Sequence, residues 1–245
     1  MTDWRDNIPK ENRCYDKPEG ILYNCDCREI LPKFPKDSID LVLTDPPYAG
    51  HFGDGSTFLH TSNTAHYEIM DFGAGNFDIV PYFPELMRTC NPLNLYCWCS
   101  KTMLLPILEF IGKNQLNWDL LVWVKNAVVP AKNNKYLPDT ELCFFIRKSG
   151  AFFNNKSNFD DYRKAIISDY VSSSQRCHPT QKPIKVILPA IRISCPQNGI
   201  ILDPFLGSGT TALAAKELGR RFIGIEISPE YCQMAIRRLG QGILL

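Results

Sequence analysis

Residues 199–212 read GIILDPFLGSGTTA, an apolar run that ends in an acid and continues into a glycine-rich turn. The apolar run predicts a buried strand, and the residues after the turn predict a helix that begins near Ser208. Gly207 and Gly209 allow a ligand to approach the backbone closely. A strand, a glycine turn and a helix in this order are typical of an α/β sheet that binds an adenosine-type cofactor at its carboxyl edge.

The residues of this turn discriminate between two classes of cofactor. Read as G-x-G-x-x-A from Gly207, the turn matches the dinucleotide fingerprint, and Glu226 ends the next expected strand, where it suits ribose hydroxyls. A pyrophosphate prefers a bare helix N-terminus, whereas Asp203 adds negative charge and Pro204-Phe205-Leu206 adds apolar bulk. A carboxylate suits a sulfonium with an α-amino group, so S-adenosylmethionine is favoured. A nicotinamide-dependent oxidoreductase remains the alternative.

Short β-branched or aromatic runs alternate with segments of helical period along the rest of the chain. This pattern predicts an α/β fold with a seven-stranded, doubly wound, Rossmann-like sheet. The expected strands are 21–24, 39–44, 93–99, 118–125, 141–147, 199–203 and 221–226. The expected helices are 81–90, 101–113, 183–194, 208–218 and 229–239. Since no strong helix separates strands 118–125 and 141–147, we expect them to pair as an antiparallel hairpin at one edge.

The strand expected at 39–44 ends at Asp45-Pro46-Pro47-Tyr48. Two consecutive prolines fix the backbone and supply no N–H groups, and Pro46 biases Asp45 toward an extended conformation. The sequence therefore predicts a rigid turn that presents a carboxylate, a carbonyl and an aromatic ring at the carboxyl edge of the sheet. Such a set suits a planar base with an exocyclic amine, because the oxygens accept the amine protons and the tyrosine stacks on the base. A plain turn is the alternative interpretation.

A third segment, residues 177–183, reads CHPTQKP and precedes an expected helix. Its prolines define a stiff entry, and Lys182 or the local amides suit the carboxylate of a cofactor. The alternative is a plain N-terminal cap of the helix.

Composition limits the classes of function. The 245 residues hold 27 Lys and Arg against 26 Asp and Glu, a net charge of +1. A uniformly basic surface for binding nucleic acid is thereby excluded, so any phosphate binding must be local. The sequence shows neither an uninterrupted run of 18 apolar residues nor a signal-peptide pattern, so we expect a cytoplasmic protein without a membrane span. Cysteine and histidine spacing lacks paired C-x-x-C ligands, and no metal is expected.

The chain length predicts one catalytic domain over residues 1–245. The glycine-rich stretch 49–75 is expected to be a mobile substrate loop, because long loops inside compact domains are usually functional or disordered. Residues 125–176 are expected to contain the edge hairpin and a locally basic recognition segment.

Together these segments resemble the amino-group DNA methyltransferases of the β arrangement, in which the catalytic Asp-Pro-Pro-Tyr comes early and the cofactor-binding F-x-G-x-G comes late. Asp45–Tyr48 and Phe205–Gly209 stand in that permuted order. Residues 178–183 match the family segment H-P-T-Q-K-P residue for residue, and the regions 24–27, 123–126 and 141–148 also agree with family patterns. The resemblance covers about residues 20–240.

The resemblance implies a seven-stranded methyltransferase sheet, S-adenosylmethionine (SAM) as cofactor, and no covalent intermediate. Asp45, Pro46, Pro47 and Tyr48 would be catalytic, and the target base would leave the duplex to reach them. Asp26 would contact the adenine of SAM, Glu226 its ribose, and Lys182 and Pro183 its carboxylate end. The remaining implied cofactor-binding residues are Cys27, Asp45, Asp203, Phe205, Gly207, Ser208, Gly209 and Thr210.

The resemblance further implies a site-specific DNA methyltransferase that acts on N6 of adenine, since Asp usually accompanies adenine at the first motif position. N4 of cytosine is the alternative base, and a catalytically silent DNA-binding relative is an alternative from another class. Expected partners are double-stranded DNA, a second copy in a homodimer and a restriction nuclease. The residues expected to contact DNA phosphates are Lys125, Lys132, Lys135, Arg147, Lys148, Lys156, Arg163 and Lys164.

Overall fold

The computed structural model describes residues 3–47, 77–126, 136–169 and 181–241. Its strands are β1 (Arg13–Lys17), β2 (Gly20–Asn24), β3 (Leu41–Thr44), β4 (Asn94–Cys99), β5 (Asn117–Lys125), β6 (Thr140–Arg147), β7 (Ala165–Ser168), β8 (Ile200–Asp203) and β9 (Arg221–Glu226). They form a nine-stranded mixed sheet in the order β1-β2-β9-β8-β3-β4-β6-β5-β7.

Helices cover both faces of this sheet. They are α1 (Cys27–Ile30), α2 (Phe83–Thr89), α3 (Leu104–Lys113), α4 (Ile184–Ser194), α5 (Thr210–Glu217) and α6 (Pro229–Gln241). Successive strand residues point to opposite faces, so Val42 joins the apolar core beneath α1–α3, while Leu41 and Leu43 join the core beneath α4–α6. The central strands are buried on both sides, which explains why they read as continuous apolar runs.

The expected doubly wound α/β fold is confirmed, and all seven expected strands are present with small shifts at their ends. The strand count needs a correction, because β1 and β7 were not expected. Strand β1 is partly exposed and carries Arg13, Asp16 and Lys17, so it lacks an apolar pattern. Strand β7 has only four residues and alternates between exposed and half-buried positions.

Strands β5 and β6 pair antiparallel as expected, from Asn117 opposite Arg147 to Val124 opposite Thr140. One additional short strand, β7, lies outside this hairpin and pairs with β5 in parallel. Strand β7 has only four residues, which alternate between exposed and half-buried positions, so the sequence carries no strong signal for it.

Strand β3 lies at the centre of the sheet, between β8 and β4, and both neighbours run parallel to it. The carboxyl ends of parallel strands meet at one edge of a sheet. The turn after the early strand β3 and the turn after the late strand β8 therefore lie side by side, which is the arrangement that the permuted motif order predicts.

The expected substrate loop at 49–75 lies outside the described residues, as do residues 127–135 and 170–176 of the expected recognition segment. The one-domain organisation stays a prediction. Within the described ranges, none of the helices combines the length and the apolar character needed to cross a bilayer.

Candidate active site

The carboxylate of Asp203, at the end of β8, is the most deeply buried acid of the site. Its residue is 3% exposed, and its Oδ1 accepts hydrogen bonds from Thr44 Oγ1 at 3.0 Å and from the backbone N–H of Phe205 at 3.1 Å. Burial raises the pKa of Asp203 to about 7, against the lowering effect of the Thr211 hydroxyl and these two donors. The donors around this carboxylate are neutral, so a cation bound beside it would supply the missing countercharge.

Two glycines of the following turn have left-handed backbones, with φ of +54° at Gly207 and +86° at Gly209. A Cβ built on Gly207 would have no atom within 4 Å, so the turn faces open space there. A Cβ on Gly209 would lie 2.8 Å from the Cβ of Ala235, because helix α6 packs directly against the turn. One glycine therefore leaves room beside the backbone, and the other permits close helix packing.

The carboxylate of Glu226, at the end of β9, holds this turn in place. Its Oε2 accepts from the N–H of Gly207 at 2.7 Å, and its Oε1 accepts from the N–H of Ser228 at 2.8 Å. Burial raises the pKa of Glu226, although these backbone donors oppose the shift. Neighbouring strand β2 joins the same region, since Asn24 Nδ2 donates to the carbonyl of Glu226 at 2.9 Å.

Ser208 and Thr210, both expected to bind cofactor, are buried beside the guanidinium of Arg238. Arg238 donates to the carbonyl and, at 3.0 Å, to the hydroxyl of Ser208, and it lies 3.4 Å from the Thr210 hydroxyl. Arg238 belongs to no sequence motif, because its position on α6 shows only helical period. These hydrogen bonds from helix α6 hold the glycine turn in place.

Asp26 and Cys27 begin helix α1 after β2, at the same edge of the sheet. Asp26 caps the helix by accepting from the N–H of Arg28 at 2.8 Å. Cys27 is 5% exposed, and burial raises the pKa of its thiol to about 12. Burial also raises the pKa of Tyr82, with smaller effects from Cys27, Arg28 and Asp26, which places this ring beside the start of α1.

An aromatic cluster lies between Asp26 and the glycine turn. Phe205 meets Tyr82 edge to face with ring centroids 5.3 Å apart, and Phe77 with centroids 5.5 Å apart. Of these rings, the sequence singled out only Phe205. Phe77 and Tyr82 follow the glycine-rich stretch without a motif, and only the fold brings them to this edge.

Asp45 follows β3, and its side chain is 32% exposed. The ammonium of Lys182 forms an ion pair with Asp45 Oδ2. Pro46 is buried and Pro47 is half-buried, in agreement with a rigid turn. Tyr48 lies outside the described residues.

The same lysine contacts a second acid, which the sequence did not assign to the site. Lys182 Nζ lies 3.1 Å from Glu141 Oε2, at the start of β6, and 4.8 Å from the ring centroid of Trp98. Pro183 is buried and occupies the N-cap position of helix α4. Lys182 precedes the helix as expected, but its described partners are acids of the protein.

The early and late turns meet directly, since Thr44 at the end of β3 donates to Asp203 at the end of β8. Asp45 is close enough to contribute, after burial and the hydrogen bonds, to the raised pKa of Asp203. The two turns thus share one cleft edge, as the sequence predicted.

The expected phosphate-binding residues are spread over both edges of the sheet. Arg147 pairs with Asn94, at the start of β4, so Arg147 and Lys148 lie about 20 Å, the length of a six-residue strand, from the edge that holds Asp45. Lys156 follows Asn154, which donates to the end of α4 on that same remote side.

The other expected phosphate ligands differ in their surroundings. Lys125 ends β5 at the Asp45 edge, but its side chain is 8% exposed and its Nζ lies 2.7 Å from Glu141 Oε1. Arg163 and Lys164 pair with Asp160 and Asp119, and Lys132 and Lys135 lie outside the described residues. Phosphate contacts by this set stay predictions. Exposed Lys101, two residues after the end of β4, also lies at the Asp45 edge, although it was not among the residues expected from the sequence.

No group of three potential metal ligands occurs among the His, Cys, Asp and Glu residues of the described ranges. The donor set instead fits a cationic adenosine cofactor. Asp203 supplies a buried carboxylate, Gly207 faces open space, Glu226 ends the adjacent strand β9, and Phe205 brings the aromatic cluster beside the turn.

A family model described as DNA methylase matches residues 39–237. The chain belongs to the DNA methylase family. The match begins before β3 and ends in α6, so it includes both turns of the cleft.

Two curated relatives cover nearly the whole methylase. It is 29% identical over 263 residues to the type II methyltransferase M2.LlaDCHI of Lactococcus lactis subsp. cremoris, covering 93% of this chain and 92% of the relative. It is also 29% identical over 255 residues to the type II methyltransferase M2.DpnII of Streptococcus pneumoniae, covering 92% and 91% of the two chains.

Solved structures agree with this assignment. The crystal structure of the M1.HpyAVI–SAM complex superposes with a TM-score of 0.67 at 31% identity, covering 89% of the methylase and 98% of that chain. The cytosine-N4-specific PvuII DNA methyltransferase superposes with a TM-score of 0.65 at 18% identity and shares the fold. The chain is thus a SAM-dependent DNA methyltransferase, as the sequence indicated.

Proposed function

We propose that this DNA methylase transfers the methyl group of SAM to N6 of adenine in DNA. The observation that carries the proposal is the contact between the two turns: Asp45 follows Thr44, and Thr44 donates to the buried Asp203. An acceptor site and a cation site therefore lie beside each other. Asp as the first residue of the motif favours adenine over N4 of cytosine, the alternative base.

Asp45 and the carbonyl of Pro46 accept hydrogen bonds from the two N–H groups of the target amine. An aromatic amine is a poor nucleophile because its lone pair is delocalised into the ring. Two acceptors favour the pyramidal geometry in which the lone pair is available for attack, and the carboxylate stabilises the positive charge that develops on nitrogen. Tyr48 stacks on the base after the base leaves the duplex, an interaction of about 1–3 kcal/mol.

The late turn binds the cofactor, which supplies an electrophilic methyl group on a sulfonium. Asp203 would pair with its cationic amino end, and Glu226 would accept a hydrogen bond from the ribose. The methionine part would lie against Phe205, Gly207, Ser208, Gly209 and Thr210. Asp26, Cys27 and the aromatic cluster of Phe77, Tyr82 and Phe205 would hold the adenine. In the sequence-based assignment, Lys182 and Pro183 stand at the carboxylate end of the cofactor.

Base identity is tested by incubating the protein with labelled SAM and mixed-sequence DNA, then mapping modified bases at single-nucleotide resolution. N6-methyladenine at one short recurring sequence is expected. N4-methylcytosine would replace the base assignment and leave the methyltransferase intact. Cofactor consumption without a modified base in any DNA would refute the proposal.

DNA must approach the edge of the sheet that holds Asp45, and exposed Lys101 lies at that edge. We expect Lys101→Gln to reduce the slope of log K against log salt by about 0.9, the value of one lost phosphate contact. Lys148→Gln, at the opposite edge, is the matched variant and leaves the slope unchanged if DNA covers the Asp45 edge alone. A reduced slope for Lys148→Gln instead would support the sequence-based set.

A homodimer, a partner restriction nuclease and a cytoplasmic location stay predictions that follow from the sequence. Sedimentation of the free protein checks the first of them. A nicotinamide-dependent activity has lost its support, because the match to the DNA methylase family includes the glycine turn.

A further inference from the structure

Four charged side chains of alternating sign connect the early turn to the hairpin of β5 and β6. Lys182 Nζ pairs with Asp45 and lies 3.1 Å from Glu141 Oε2. The second oxygen of Glu141 lies 2.7 Å from Lys125 Nζ. We call Asp45, Lys182, Glu141 and Lys125 the charge row.

The two lysines of the charge row are shielded from water. Lys182 is 4% exposed and Lys125 is 8% exposed. The ammonium groups lie 4.8 Å from the ring centroid of Trp98 and 5.1 Å from that of Trp123, respectively. Ion pairs in such surroundings are screened less than pairs in water, so each charge constrains the position of the next one.

Both inner groups stay ionised in this arrangement. Burial lowers the pKa of Lys182, but the Asp45 and Glu141 carboxylates outweigh burial and raise it. Burial raises the pKa of Glu141, but Lys182 and Lys125 outweigh burial and lower it. Lys182 is therefore a cation held in place at the edge of the sheet that carries Asp45.

Fold stability does not explain why the protein has buried ion pairs at this place, because well-packed apolar residues commonly stabilise a protein as much as buried ion pairs do. The charge row ends, however, at the carboxylate that receives the target amine in the proposed function. Without Lys182, the carboxylates of Asp45 and Glu141 would be left to repel each other across the same space.

We propose that Lys182 is a positioning residue for methyl transfer: anchored by Glu141, its ammonium holds the Asp45 carboxylate in the orientation that accepts a hydrogen bond from the target amine. This inference rests on the proposed function of Asp45. It differs from the sequence-based assignment, in which Lys182 contacts the carboxylate of the cofactor. The two roles predict different measurements, since a positioning role affects the chemical step and a cofactor contact affects cofactor affinity.

The experiment measures two quantities for each variant of the full chain. Single-turnover methyl transfer to methylatable DNA is followed at saturating SAM, and S-adenosylhomocysteine binding is followed by calorimetry. The variants are Lys182→Met, Lys182→Arg and Glu141→Gln. Lys185→Met, which removes an exposed lysine of helix α4 three residues away, is the matched control.

Lys182→Met is expected to lower the single-turnover rate about a hundredfold, the usual consequence of a misplaced reacting group, with unchanged cofactor affinity. Lys182→Arg keeps the cation and recovers part of that rate. Glu141→Gln loosens the anchor and produces a smaller loss of the same kind. Lys185→Met behaves as the wild type in both measurements.

Two results would overturn the inference. One is wild-type transfer by Lys182→Met, and the other is a loss of cofactor affinity that saturating SAM fully compensates, which would assign Lys182 to the cofactor. If Lys182→Met does not fold, Glu141→Gln decides, because a wild-type rate in that variant contradicts an anchored lysine. Failure of the proposed function looks different, since the wild type itself would then transfer no methyl group to DNA.

Discussion

Two turns of this methylase begin with the same dipeptide after a buried parallel strand, Asp45-Pro46 after β3 and Asp203-Pro204 at the end of β8. Their carboxylates have opposite surroundings. The Asp45 side chain is 32% exposed and pairs with a lysine, whereas Asp203 is 3% exposed and accepts from neutral donors.

This difference separates two tasks that one motif could not perform alone. A carboxylate that already has a cationic partner and reaches the solvent is suited to receive a neutral amine. A carboxylate buried without a cation is suited to bind one. Local sequence fixes the turn, and the neighbouring elements decide which ligand each acid serves.

Replacing the acid of the early turn has the largest expected effect. Asp45→Ala removes an acceptor that acts on the reacting amine, so methyl transfer should fall about a thousandfold or more, while S-adenosylhomocysteine affinity stays near that of the wild type. Tritium transfer to DNA and calorimetry measure the two quantities, with Asp6→Ala, an exposed acid near the N-terminus, as the control. Turnover like that of the wild type would show that Asp45 does not act on the target amine.

Asp203→Asn tests the other half of the comparison. It keeps the shape of the side chain and removes its charge, so cofactor affinity should fall about a hundredfold, as expected when one partner of a buried charge pair is lost. An unchanged affinity, measured by calorimetry, would show that no cofactor cation lies beside Asp203.

The pH dependence sharpens this prediction. The pKa of Asp203 is about 7, and the ionised form binds a cation, so cofactor affinity should fall up to about tenfold per pH unit below pH 7. Asp203→Asn should lack that slope. Folding responds in the opposite direction: the folded carboxyl keeps its proton to about pH 7 and the unfolded one to 3.8, so this group's contribution to stability decreases as pH rises through that window.

The smallest expected effect concerns how each turn is held, by prolines in the early turn and by glycines in the late one. Gly209→Ala places a Cβ at 2.8 Å from Ala235 in a left-handed backbone, so the free energy of unfolding should fall by about 2 kcal/mol. Gly240→Ala is the control, because its Cβ has open space in α6 and should stabilise the helix by about 0.5–1 kcal/mol. Urea unfolding measures both, and equal stabilities would contradict the packing role of Gly209.

The sequence predicted the strands and the two turns well because their signals are local. Apolar runs that end at Asp-Pro or at glycines can be recognised as strands followed by turns from the local sequence alone. Strands β1 and β7 were missed for the complementary reason, since a partly exposed outer strand carries no continuous apolar run. The hairpin of β5 and β6 was found, but its outer neighbour was not.

Residues that act through distant partners were harder to find. Glu141 and Lys182 are far apart in the chain and meet only because β6 lies beside β4 and the segment before α4 crosses the same edge. Phe77, Tyr82 and Arg238 belong to no motif, yet the fold places them against the cofactor turn.

The sequence by itself determined the class of fold, the family and the order of the two turns, because each depends on residues that are neighbours in the chain. The tertiary structure decided which side chains share a dielectric environment. The order of the strands in space pairs Asp45 with Lys182 and buries Asp203. It also places Lys148 at the edge of the sheet opposite Asp45. Charge and burial depend on distances between residues remote in sequence, and only the packed sheet sets those distances.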